Sequence, residues 1–290
     1  MPLSFTNLLF KPEAVATKRR VLATGAAGNI GAYFAEHSSG RYDLRLLVHK
    51  AEDVAKLSPF GEVIVADLSD LEGLKAACEG IDTVLHMAGD PSPDATWHEL
   101  LNANIIGSYN MLVAAKAAGC RRLIYASSIH AVSGYPADVQ VKTSEPVNPG
   151  DLYGVSKCCV EALGRYMAEQ EGLSFIALRI GAFQPKEKVE GPEAIKWLDA
   201  WVSERDLNQL IERCVDDTRL NFAIFNGLSN NRFKRLDISD ARELVGYAPE
   251  DDFTEINAEV EPLHLDSKVG THSQRDGYRP GIREELAELA

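Results

Sequence analysis

Residues 25–31, Gly-Ala-Ala-Gly-Asn-Ile-Gly, stand between a short apolar run, RRVLAT (19–24), and a stretch where Ile30, Tyr33 and Phe34 fall at helical spacing. No other segment constrains the fold as tightly. Three glycines alone mean little, but at a strand-to-helix junction each has its own task. Gly25 permits the tight turn, Gly28 lets the backbone approach a pyrophosphate, and Gly31 lets the helix lie close to the sheet. The helix start, with Asn29 and Ile30, offers free N–H groups and a positive dipole end to the phosphates. Ser38-Ser39-Gly40 ends the helix, and LRLLV (44–48) supplies the next strand of a βαβ unit.

The alternation continues. EVIVA (62–66), DTVLHMA (82–88), RLIYAS (122–127) and SFIALRI (174–180) read as strands, with helices between them near 70–79, 97–118 and 151–171. Gly80, Gly119 and Gly172 stop those helices. Short apolar strands alternating with helices predict an α/β fold: a doubly wound parallel sheet of Rossmann type. Residues 18–180 are expected to form this dinucleotide-binding domain, preceded by an N-terminal extension over 1–17. Beyond Gly181 the rhythm loosens into a polar loop (185–193), a helix near 203–214, a strand LNFAIF (220–225) and a helix starting near Ser239. The segment 181–290 is read as a small substrate-binding lobe and an acidic tail.

There are 43 acidic and 30 basic side chains, a formal net charge of −13, with no long Lys/Arg block. That balance disfavours binding along a nucleic-acid backbone. No apolar run approaches the ~20 residues of a membrane span, and the first residues do not read as a secretory signal. The five cysteines (78, 120, 158, 159 and 214) contain no CxxC pair, so reduced thiols are expected rather than a disulfide framework or a metal site. The expectation is a cytoplasmic protein acting on a small molecule, with no nucleic-acid or membrane partner; a homo-oligomer stays open.

The second strand ends in Leu46-Leu47-Val48-His49-Lys50. A carboxylate at that point would accept hydrogen bonds from the adenosine ribose and favour NAD. None is present, and His49 and Lys50 suit a 2′-phosphate, so NADP is favoured and NAD stays open.

Tyr153-Gly-Val-Ser-Lys157 puts a phenol and an ammonium four residues apart, on one face of a helix. A tyrosine with a pKa near ~10 is a poor base at neutral pH. A neighbouring cation favours its phenolate. Ser128, at the end of the strand RLIYAS, would face the same crevice, because strand C-termini in a parallel sheet point to the cofactor.

With these pieces in place the chain resembles the extended short-chain dehydrogenases/reductases of the NAD-dependent epimerase/dehydratase superfamily. The resemblance rests on T24GAAGNIG31, A66DL68, H86MAG89, N102ANIIGS108, A126SS128, Y153GVSK157 and the run LDISDARELVGYAP. It implies that Ser128, Tyr153 and Lys157 are catalytic, with Lys157 and Tyr153 also at the nicotinamide ribose. It implies further that Asp67 and Leu68 contact the adenine, Ala88 and Gly89 line the cofactor, and Asn104 braces the active-site helix or a relay water. Tyr153 would take a hydroxyl proton while a hydride passes to the nicotinamide.

Within the superfamily the chain is most similar to uronate dehydrogenases, through ANIIGSYNMLVAA (103–115), ASSIH (126–130), DLYGVSKCCVE (151–161) and RIGAFQPK (179–186). The resemblance implies oxidation of a C1 hydroxyl of a small sugar or sugar acid to a lactone. It also points to Ser92, Ser128, Ile129, His130, Ala182 and Lys196 at the substrate. Ile129 replaces an asparagine and Ala182 a serine of that group, and Lys196 stands about where it has a carboxylate-binding arginine. A neutral aldose, a sugar phosphate or a non-sugar alcohol therefore stays open. So do a sugar epimerase with retained NAD and a non-catalytic dinucleotide-sensing regulator.

Overall fold

The computed structural model describes residues 18–263. The N-terminal extension and the part of the acidic tail beyond 263 lie outside the described residues. The strands are β1 (Arg20–Thr24), β2 (Asp43–Val48), β3 (Glu62–Val65), β4 (Thr83–His86), β5 (Arg122–Ser128), β6 (Ser174–Ile180), the two-residue β7 (Ala182–Phe183) and β8 (Trp201–Val202), and β9 (Phe222–Gly227). Seven of them form one sheet in the order β3-β2-β1-β4-β5-β6-β9, parallel throughout. The chain winds outward from β1 through β2 to β3, then outward on the other side from β4. The crevice of a doubly wound sheet opens where the direction reverses, at the C-terminal ends of β1 and β4.

The helices are α1 (Asn29–Ser38), α2 (Val54–Leu57), α3 (Leu71–Ala77), α4 (Trp97–Leu100), α5 (Gly107–Ala117), α6 (Leu152–Glu169), α7 (Glu204–Asp216), α8 (Ser239–Val245) and α9 (Phe253–Ile256). Strand residues alternate between the faces they bury, as the two-residue period requires. Val21, Ala23, Ile124, Ile176 and Leu178 pack with Phe34 of α1 and Leu207 and Leu210 of α7. Leu22, Leu123, Tyr125, Phe175 and Ala177 pack with Leu74 of α3, Met111 of α5 and Val160 of α6. A third, small cluster of Val189, Ala194, Trp201, Phe253 and Val260 sits beyond β6.

Three details differ from the sequence reading. The sheet does not stop at Ile180: β9 pairs with β6, so the division expected there cuts across a continuous layer. Strand β4 ends at His86, because the N–H groups of Met87 and Ala88 turn to the Thr24 hydroxyl (3.2 and 3.1 Å). The expected helix over 97–118 contains a wide π-helical stretch, Leu101–Ile106, between α4 and α5. No described helix is long and apolar enough to cross a membrane.

Arg122 closes the N-terminal margin of the sheet. It is 1% exposed. Its guanidinium donates to the carbonyls of Cys214 (2.7 Å), Asp217 (2.6 Å) and Leu220 (2.6 Å) and to the Ser174 hydroxyl (2.9 Å), tying β5 to the α7–β9 crossover. Removing it leaves the Cys214 carbonyl without its donor, takes one of two donors from the Asp217 and Leu220 carbonyls, and deprives the Asp217 carboxylate of its buried partner. Arg122→Ala is expected to lower unfolding free energy by about 3–5 kcal/mol, read from the urea midpoint.

Candidate active site

The glycine loop builds the first half of the site. Gly25 has φ +66°, and a Cβ there would lie 2.8 Å from the Ala88 backbone nitrogen. A Cβ on Gly31 would lie 2.7 Å from Ala26 Cα, so α1 can seat against the turn only without one. The first helical bond of α1 runs from the Ala32 N–H to the Gly28 carbonyl, and no side chain caps the helix. The first-turn N–H groups therefore face an open groove of about 990 Å³ whose lining includes Gly25, Gly28, Asn29, Ile30, Gly31, His49, Ala88 and Gly89. A glycine cradle with an uncapped helix start fits the pyrophosphate of a dinucleotide.

Around this groove the expected residues separate. His49 and Lys50 are exposed; the His49 imidazole lies 3.3 Å from Asp67, and Lys50 lies 3.7 Å from Glu52. Asp67 also accepts from the Ser69 N–H, which with the Ser69 hydroxyl holds its carboxyl below the usual range. Leu68 faces away from the groove: its side chain abuts Gly107 and its carbonyl accepts from Asn110.

The second half lies where α6 crosses the end of β5. A cavity of about 550 Å³ is lined by Ser127, Ser128, Tyr153, Lys157, Asp90, Gly181 and others, and shares Ile30, Met87, Gly89, Ala126 and Phe183 with the groove. Ser128, Tyr153 and Lys157 are all buried. The Lys157 ammonium donates to the Ala126 carbonyl (2.8 Å) and stands over the Tyr125 and Tyr153 rings at 4.9 and 5.3 Å. Burial pushes Lys157 down to about 8, against the pull of Glu161. Burial is also the largest influence on Tyr153 and raises it; the Ser128 hydroxyl works the other way, and Asp151 and Asp90 add to the rise. Lys157 does not figure among the influences on Tyr153, so the lowering expected from it is not seen.

Asn104 does not line the cavity. Its amide accepts from the Asp90 N–H (2.7 Å) and donates to the Asp90 carbonyl (3.0 Å) and the Ser156 hydroxyl (3.1 Å). Ser156 in turn donates to the Tyr153 carbonyl (2.7 Å). The amide therefore joins the loop after β4 to the turn that carries Tyr153.

The expected substrate residues divide as well. The His130 ring meets Tyr153 edge-on at 5.3 Å, and its Nδ1 lies 2.6 Å from Asp151. Ser92 closes a turn: its N–H donates to Asp90 and its hydroxyl accepts from the Asp94 N–H. Ile129 lines a separate small cavity with Arg235. Ala182 starts β7, between the cavity-lining Gly181 and Phe183. Lys196 is exposed and lies over its neighbour Trp197 at 5.0 Å, outside the cavity.

Asp90 and Asp151 escaped the sequence reading. Asp151 caps α6 by accepting from the Gly154 N–H (2.7 Å) while its other oxygen holds His130. An aspartate just before a helical run is a legible cap signal. Asp90 had none.

The profile of the NAD dependent epimerase/dehydratase family matches residues 21–247. An NAD-dependent glucose-6-phosphate dehydrogenase of Haloferax volcanii is 34% identical over 261 residues, covering 84% of this chain and 97% of that protein. An L-arabinose 1-dehydrogenase (NAD(P)(+)) of the same organism is 32% identical, covering 80% and 96%. The crystal structure of uronate dehydrogenase from Agrobacterium tumefaciens superposes with a TM-score of 0.73 at 30% identity, covering 89% and 92%.

Gly154 sets how closely α6 approaches this site, since a Cβ there would collide with the His130 carbonyl. Gly154→Ala is expected to displace the turn carrying Tyr153 and lower kcat by about 100-fold, while circular dichroism shows the fold retained.

Proposed function

The chain belongs to the NAD-dependent epimerase/dehydratase family, and on that premise we propose that it oxidises the C1 hydroxyl of a small, uncharged sugar with NADP or NAD. The observation that carries this reading is the meeting of Ser128, Tyr153 and Lys157 at the end of the groove that starts at the glycine loop. Gly25, Gly28, Asn29, Ile30 and Gly31 would hold the pyrophosphate, and Lys157 and Tyr153 the nicotinamide ribose. The bound nicotinamide supplies a hydride acceptor. Ser128 orients the sugar hydroxyl, Tyr153 as phenolate takes its proton, and Lys157 favours that phenolate by its charge. Met87, Pro91 and Phe183 give the cavity an apolar lining.

Charge supports an uncharged substrate. Among the described residues, the charged side chains lining the cavity are Asp90 and Lys157, and Lys157 is engaged by Ala126. Lys196 lies outside. Arg235 is held by the carbonyls of Tyr135 (2.6 Å) and Ser133 (3.4 Å). A sugar carboxylate or phosphate would meet Asp90 with no free cation beside it, and a buried anion without a partner is strongly disfavoured. Like the L-arabinose 1-dehydrogenase it is similar to, this chain would then serve neutral aldoses.

The test follows nicotinamide reduction with L-arabinose, D-glucose, D-glucuronate and glucose 6-phosphate, each with both cofactors. The neutral aldoses are expected to give the higher kcat/KM; a preference for either anion would overturn the substrate class. Tyr153→Phe is expected to lose activity by about 100- to 10,000-fold with cofactor affinity unchanged, and wild-type turnover in that variant would refute the mechanism.

The lean to NADP rests on His49 and Lys50, since among the described residues no carboxylate stands at the end of β2, and Asp67 comes from the end of β3 to the far side of His49. Lys50→Ala is expected to weaken NADP by up to about tenfold at low salt and to leave NAD unchanged, measured by fluorescence titration. Equal effects on the two would remove Lys50 from the 2′-phosphate.

A further inference from the structure

Three consecutive residues of β5 each meet a different turn of α6. The Ala126 carbonyl accepts from Lys157 (2.8 Å), the Ser127 hydroxyl donates to Glu161 Oε1 (2.6 Å), and Ser128 faces Tyr153. Glu161 lies one helical turn beyond Lys157, as Tyr153 lies one turn before it. Glu161 is 4% exposed, and its carboxylate is held from β6 by Arg179, Nε at 3.0 Å and Nη2 at 2.8 Å. Arg179 is 1% exposed and stands directly across from Ser127 in the β5–β6 register. A buried carboxylate fixed by two strands at once determines both the height and the rotation of the helix turn above it. It also places a negative charge one turn from the buried ammonium.

The geometry points to Glu161 as a positioning residue for Lys157: clamped by Arg179 and Ser127, it fixes the turn that delivers the ammonium to the Ala126 carbonyl and keeps that nitrogen charged. The inference rests on the reading of Lys157 as a working residue of the site. The charged and titratable groups around Lys157 are Tyr153 and Glu161 on α6, Tyr125 on β5, His86 on β4, Arg179 on β6 and Asp90 on the loop after β4, which lines the same cavity. Tyr125 is raised by its burial, and burial drives His86 down to about 3, so neither carries charge at neutral pH. Tyr153 is likewise raised. Of the two carboxylates, Asp90 faces the cavity and bears on Tyr153, whereas Glu161 is the one that bears on Lys157. Arg179, the second cation, points its charge into that anion rather than at Lys157.

The test measures Lys157 itself. The protein is labelled with [ε-13C]lysine, and the Lys157 resonance, assigned by its loss in Lys157→Met, is followed through the neutral and alkaline range. Glu161→Gln keeps the shape and an acceptor for Ser127 and Arg179 but removes the charge. Lys157 is expected to titrate about one pH unit lower in that variant, and to return towards wild type in Glu161→Asp. The alkaline limb of kcat/KM for sugar oxidation should move down with it. The double variant Glu161→Gln, Arg179→Met removes both charges of the buried Glu161–Arg179 pair, so no unpaired guanidinium is left, and is expected to shift Lys157 in the same direction, which covers the case in which the single variant does not fold. An unchanged Lys157 titration in either folded variant, or a uniform loss of rate with an unmoved pH profile, would overturn the inference. Failure of the underlying reading looks different: Lys157→Met or Tyr153→Phe would stay active whatever Glu161 does.

Discussion

The close seating of α6 on the ends of β5 and β6 is the constraint on which the site depends. It needs glycines within the helix. A Cβ on Gly154 would strike the His130 carbonyl, and one on Gly164 would enter the Phe175 ring. Each glycine in a helix interior costs about 1 kcal/mol relative to alanine. That cost is offset by what the proximity allows: Lys157 on the Ala126 carbonyl, Glu161 on Ser127 and Arg179, and Ser156 on Asn104. A helix one side chain further away could make none of these bonds.

The regular part of this architecture was legible in the sequence because it follows periodicity. Apolar runs such as RLIYAS and SFIALRI become buried parallel strands, and the glycine loop marks the helix that must lie close to them. The Tyr153–Lys157 spacing gave a shared helix face, and Ser128 a strand end in the same crevice. What the sequence could not give was the balance of local fields. The reading put Lys157 in control of Tyr153, whereas burial of both groups dominates and moves them in opposite directions, the phenol up and the ammonium down. Nor did sequence distance reveal that Lys196 lies over Trp197 rather than in the cavity, or that Leu68 turns to Gly107. Such outcomes depend on side-chain direction, which no motif encodes.

The catalytic and substrate halves of the site rest on different kinds of support. Ser128, Tyr153 and Lys157 stand on a long helix and a central strand. The far wall of the cavity comes from Gly181 and from Phe183 of the short β7–β8 pair, where Trp201 enters the small third cluster while Phe183 and Val202 pack on the main core. Gly181 itself lies against the Ala200 carbonyl and donates to the Gly227 carbonyl (3.0 Å), while the Ala182 and Gln184 N–H groups donate to Ala200 (2.8 Å) and Val202 (3.4 Å), so the wall's backbone hangs on β8 and β9. On the proposed reading, the reacting groups are carried by the sheet and its longest helix, while the sugar would meet short segments beyond β6.

The wide π-helical stretch over Leu101–Ile106 has a consequence for how this chain tolerates length changes. There the Gly107 N–H reaches back five residues to the Asn102 carbonyl, so the helix holds one residue more than regular winding would place. Asn104 sits within that surplus turn, with its amide on Asp90 and Ser156. Deleting any single residue there would let α4 and α5 merge into an ordinary helix, a local gain for the backbone. The flanking turns would keep their facing, because the bulge already absorbs the extra residue, but the residues within it would be redirected, turning the Asn104 amide away from Ser156. A shortened chain could then be better wound yet no longer join Asp90 to α6, so preservation of length in this helix is a constraint separate from preservation of its residues.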